Sequence, residues 1–137
     1  MPAIYGRIVI PPAVHAEVTV RGIGAAELAQ ATWLHVQRPR DAAAVRTLSG
    51  VLDPGEAEAV PLAVELHALL LIDDRRARRR AAQMHVACLG TVGIVLEAKD
   101  TGLIDAVGPL LHELVHAGVY LDAALIVHAR RVAGEGT

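Results

Sequence analysis

The chain has 137 residues, enough for one domain with a real core, but it has no phenylalanine and only 2% aromatics. That core must be aliphatic, and base stacking on aromatic side chains is nearly excluded. The formal charge of −2 gives no global field toward nucleic acid, so any such affinity is local. The lone Cys88 excludes a disulfide framework and points to a reduced, cytoplasmic setting. No apolar run reaches the roughly 20 residues of a bilayer span, and the N-terminus lacks the layout of a signal peptide.

In chain order, Arg7 to Ile10 is a short apolar run read as a strand and stopped by Pro11-Pro12. Proline suits a first helical turn, so Pro12 through Val20 is read as a helix, broken by Gly22 and Gly24. The Gly-Ile-Gly there is a weak phosphate-loop signal, and a plain turn is the preferred reading. Ala25 to Ala31 suits a short alanine-rich helix. Trp33 to Gln37 alternates apolar and polar residues, as an exposed strand or an irregular connection would. Pro39 and Asp41 start a helical segment to about Ser49, closed by Gly50.

Asp53-Pro54-Gly55 opens a helix with Ala59, Leu62, Ala63 and Leu66 on one face. Pro61 is discordant, because an interior proline costs ~3 kcal/mol. A kink there, or a later start of the regular helix, is expected. Ala68 to Ile72 is a continuous apolar run, as in a strand covered on both faces. Arg75 to Met84 is helical, Val86 to Leu89 a strand, and Gly90-Thr91-Val92-Gly93 leads into a helix to about Asp100. Asp105 to His116 and Asp122 to Ala133 complete the chain as amphipathic helices. This alternation predicts an α/β fold in one domain over residues 1–137: a small parallel sheet flanked by helices, with a helical C-terminal tail.

Right-handed crossover geometry brings acids together. A helix leading into a parallel strand starts at the sheet's carboxyl edge, so Glu56 in a first turn shares that edge with Asp73 at the end of the next strand. Glu17, in the second turn after Pro12, joins them if its face points inward. Ligands bind at that edge in α/β folds, and convergent hard oxygens suit Mg²⁺ or Mn²⁺. A structural reading accounts for the same residues: first-turn acids favoured by the helix dipole, Asp73 or Asp74 as a cap, and the basic run at 75–80 as a solvated face.

Three segments carry a resemblance. Asp-Pro-Gly-Glu-Ala-Glu-Ala at 53–59, Leu-Ile-Asp-Asp-Arg-Arg-Ala-Arg at 71–78 and Gly-Thr-Val-Gly at 90–93 resemble the PIN-domain superfamily, as does Tyr-Gly-Arg-Ile-Val-Ile-Pro-Pro-Ala-Val at 5–14. The similarity is greatest to its predicted nucleic-acid-binding, VapC-like branch. The resemblance implies a three-layer sandwich and a Mg²⁺- or Mn²⁺-dependent endoribonuclease, as in the toxins of toxin–antitoxin pairs. It further implies RNA as substrate and an antitoxin protein as partner; a homodimer is expected instead as cover for a sheet edge left exposed. The resemblance assigns Glu17, Glu56 and Asp73 as catalytic metal ligands with Asp74 beside them; the placement of Arg75, Arg76, Arg78 and Arg79 next to those acids, and of Thr91 at a strand-to-helix turn, makes these the candidate phosphate contacts. PIN domains open with an Asp-bearing strand and a short helix ahead of the segment that starts here at Ala3. The expectation is therefore a domain lacking its first strand and that acid, whose exposed edge needs cover. On that ground the alternative is a non-catalytic PIN remnant that binds nucleic acid or protein.

A rival motif is His112-Glu113-Leu114-Val115-His116, which matches the zincin pattern His-Glu-x-x-His, with Glu135 as a candidate third ligand. An amphipathic packing helix is enough to explain it, and with seven histidines in the chain a chance match is the preferred reading. The remaining histidines have no spacing partner, Cys88 reads as core, and a helix cap is the simpler role for Thr91.

Overall fold

The computed structural model describes residues 7–21, 31–119 and 121–135, with the backbone alone at 18–21. The expected helix at 25–31 lies almost wholly outside these. The chain divides into two compact units, residues 1–89 and 90–137.

In the first unit, strand β1 (Ile8–Ile10) leads into helix α1 (Pro12–Arg21), and β2 (Leu34–Val36) precedes α2 (Ala42–Ser49). Helix α3 (Pro54–Leu66) feeds β3 (Leu70–Leu71), and α4 (Arg75–Gln83) feeds β4 (Cys88–Leu89). Among the described residues the strands form two parallel pairs, β1 with β2 and β3 with β4. The parallel α/β character and the helical tail are as the sequence predicts.

Two strands are shorter than their apolar runs, because the preceding helices reach into them. Ala68 N–H still donates to Ala63 O (3.1 Å), closing α3 behind the left-handed His67. Val86 N–H donates to Ala81 O (2.9 Å), closing α4 behind His85, whose φ of 61° is also left-handed.

Aspartates begin three of the four helices among the described residues of this unit. Asp41 accepts from Ala44 N–H, Asp53 from Glu56 N–H and Asp74 from Ala77 N–H, at 3.0, 3.0 and 2.9 Å. Pro61 neither delays nor interrupts α3, which runs unbroken from Pro54 to Leu66 with Pro61 fully buried. Burial of its ring offsets the lost hydrogen bond. The core is small and aliphatic, built on Leu48, Leu52, Val60 and Leu70 with Ala57, Ala63, Ala77 and Ala81, while Cys88 packs against it half-buried. Alanines at one-turn spacing let α3 and α4 come close.

The second unit holds α5 (Thr91–Asp100), α6 (Val107–His116) and α7 (Ala123–Val132) around Val95, Val107, Leu111 and Ala129. Glu135 ties them together. Its carboxylate accepts from Val107 and Gly108 N–H at 2.7 and 2.9 Å, and pairs with Lys99 Nζ at 2.8 Å. Lys99 Nζ also donates to Ala133 O (2.6 Å). No helix among the described residues is long and apolar enough to cross a membrane.

Candidate functional site

The start of α3 gathers carboxylates. Asp53 and Glu56 stand at capping-box spacing, and the Glu56 carboxyl sits half-buried beside Asp53. Its pKa rises from 4.5 to about 7. Burial is the largest cause, followed by the charges of Asp53 and then Asp74; a hydrogen bond from the Asp53 backbone pulls the other way. Glu56 stands in the first turn of α3 and Asp74 caps α4, and the charge of Asp74 acts on the Glu56 carboxyl.

Glu17 arrives from α1. A Cβ on buried Gly55 would lie 3.2 Å from Glu17 Oε1 and 3.2 Å from Val14 Cγ2. The missing side chain at Gly55 leaves room there for the α1 carboxylate and for Val14. Glu58, one residue past Ala57, instead takes Ala13 N–H at 3.0 Å and docks α1 by its first turn. Glu17 and Glu56 thus flank the same short segment, Gly55-Glu56.

Asp73 is exposed at the end of the β3 segment, and Asp74 is exposed as the cap of α4. Between the two caps considered from sequence, Asp74 is the one that bonds Ala77. Among the described residues, no three His, Cys, Asp or Glu side chains are arranged as a metal-holding group. The carboxylates converge on one end of the unit without forming a closed set of ligands.

Beyond Asp74, α4 presents Arg75, Arg76, Arg78, Arg79 and Arg80, all exposed, while Ala77 and Ala81 face the core. Five guanidinium groups on nine helical residues make the local basic patch that the overall charge conceals. Burial pushes the Cys88 thiol up, and the Arg78 charge opposes it. Thr91 is the first residue of α5 in the second unit. The cap position there belongs to Gly90, so the expected capping role does not hold.

The zincin motif lies on α6 with His112, Glu113 and His116 all exposed. Glu135 cannot serve as its third ligand, because both carboxylate oxygens are engaged by Lys99 and the α6 N-terminus. Sequence reasoning missed two contributors: Asp53 as a charge beside Glu56, and Gly55 as the gap that admits Glu17. The Asp-x-x-Glu spacing was the available signal for the first. Nothing local signalled the second, since it depends on α1 crossing α3.

No curated protein and no solved structure matches the chain. A family model described as PIN domain matches residues 1–135. The chain belongs to the PIN-domain family.

Proposed function

We propose that this protein is a metal-dependent endoribonuclease acting on single-stranded RNA, with Glu17, Glu56, Asp73 and Asp74 as the Mg²⁺ or Mn²⁺ ligands. PIN domains share a nuclease-type fold, bind nucleic acid and in general use divalent metals. The observation that carries the reading is the crowding at Glu56, whose carboxyl is raised to about 7 by burial beside Asp53 and Asp74. Hard oxygens held together against their own repulsion are the donors that a small divalent cation suits. Bound there, the cation would supply Lewis acidity to the scissile phosphodiester and the attacking water.

The chain's own groups do the rest. Glu56 would hold the cation through its deprotonated carboxylate. Asp53 and Asp74 each accept one backbone N–H in a helix cap, which holds both side chains at the starts of α3 and α4. Arg75, Arg76 and Arg79 present planar forks that grip successive phosphates of an extended strand. With aromatics so few, strand binding rests on phosphate contacts, so affinity should fall with salt by roughly 0.7 in log–log slope for each phosphate neutralised.

The deciding experiment incubates the full chain with labelled single-stranded RNA and Mn²⁺. Cleavage lost in Asp73→Asn and in Glu56→Gln supports the enzyme. A toxin role further predicts a partner protein that blocks this cleavage, and the homodimer reading predicts twice the chain mass in solution. The second reading, a non-catalytic module, is favoured by the lack of a metal-holding group of three among the described residues. It predicts RNA retained in EDTA and no cleavage with any divalent ion.

A further inference from the structure

The two helices that feed β3 and β4 end in the same way. Ala68 N–H donates to Ala63 O and Val86 N–H to Ala81 O, while His67 N–H reaches Val64 O (3.3 Å) and His85 N–H reaches Ala82 O (3.1 Å). Each turn places a histidine in the left-handed region, with φ of 50° at His67 and 61° at His85. Glycine is the residue this position favours, because it has no Cβ to crowd the backbone there. The chain accepts that strain twice, at equivalent places, with the same side chain.

Parallel pairing sets the two side by side. Leu70 is in register with Cys88, and each histidine stands three residues earlier, at the amino edge of the β3–β4 pair. That edge lies opposite the carboxylates at the starts of α3 and α4. His67 and His85 line one depression together with Val64, Leu69 and Met84, and its wall holds no carboxylate. Both side chains are exposed, and among the described residues no hydrogen bond or ion pair engages either imidazole. A hard cation finds no side-chain oxygen there, whereas an imidazole pair suits zinc and its neighbours in the first transition row. Paired strands run roughly 5 Å apart, so imidazoles from equivalent positions can share one ion at Zn–N distances of about 2 Å. We propose that His67 and His85 form a two-imidazole site for Zn²⁺ at the amino edge of the sheet, separate from the acids at the carboxyl edge, with water in the remaining coordination positions.

The test titrates the full chain with Zn²⁺ in excess Mg²⁺, which occupies the carboxylates, and reads free Zn²⁺ with a fluorescent chelator. One ion should bind per chain, and long-range proton–nitrogen NMR spectra should show the His67 and His85 ring nitrogens shifting together. His67→Gly and His85→Gly should each weaken Zn²⁺ at least tenfold. Glycine also relieves the left-handed strain, so without metal both variants should melt above the wild type, which separates ligand loss from unfolding. His85→Asn, whose side chain also tolerates the left-handed region, should bind Zn²⁺ as weakly as His85→Gly. His112→Ala combined with His116→Ala should leave the affinity unchanged. The proposal is overturned if Zn²⁺ affinity survives both glycine substitutions, if it is lost on the α6 substitutions instead, or if only one of the two rings shifts. Half an ion per chain overturns it as well, since the ion then bridges two copies.

Discussion

Replacing Glu56 with Gln removes a charge that the folded state tolerates poorly. The folded carboxyl titrates at about 7 against 4.5 when free, so between those values the folded chain holds a proton that the unfolded chain has lost. Stability from this group is therefore complete below pH 4.5 and is lost as pH rises through 7. At 1.36 kcal/mol for each unit of pKa, the full displacement corresponds to roughly 3.4 kcal/mol. Glu56 keeps part of its surface in water, and screening there brings the expected value to about 1 kcal/mol. Urea unfolding of wild type and variant, at pH 4.5 and pH 8, measures it. The Gln variant should be more stable by about 1 kcal/mol at pH 8 and nearly equal at pH 4.5. Millimolar Mn²⁺ should reverse the order at pH 8, because only the wild type gains a bound cation. A stability gap that does not change with pH, or equal Mn²⁺ stabilisation of both proteins, would refute the carboxylate cluster.

Gly55→Ala gains about 1 kcal/mol of helix propensity but sets a methyl 3.2 Å from Glu17 Oε1 and Val14 Cγ2, so stability should change little while Mn²⁺ affinity falls; calorimetric titration reads the difference. Glu135→Gln should lower the melting temperature at neutral pH. Wild type should lose that advantage as pH drops from 4.5 toward about 2, the value to which Lys99 first, and then the Val107 and Gly108 N–H groups, hold this carboxyl. Leu111→Ala, at a fully buried position of the second unit, should cost about 2–5 kcal/mol in denaturant unfolding. His112→Ala and His116→Ala should leave both folding and Mn²⁺-dependent cleavage unchanged, since both side chains are exposed; zinc-dependent loss of peptidase activity in either would revive the zincin motif.

Much of the architecture was legible because it is local. Asp-Pro at 53–54, Asp74 before an arginine run and Gly90 before α5 mark helix starts whose cause lies within four residues, and the helices begin there. Strand boundaries were less legible. Ala68 and Val86 belong to apolar runs, yet their N–H groups are taken by the helices before them. Pro61 was misleading for a related reason: its local cost is offset by burial that only the packed core supplies.

For the candidate site, the sequence by itself determined the acids, the basic helix and, through crossover handedness, that Glu56 and the Asp73–Asp74 pair share one end of the sheet. Only the tertiary structure decided which of them interact. It put Asp74 rather than Asp73 on the cap and in the field of Glu56, and let Glu17 approach through the gap at Gly55. It also removed Glu135 from the zincin motif by bonding it to Lys99 and α6. Periodicity and capping act over a few residues and can be read along the chain. The pKa of a carboxyl, or the partner of a glutamate twenty-seven residues away, depends on which surfaces meet when the chain packs.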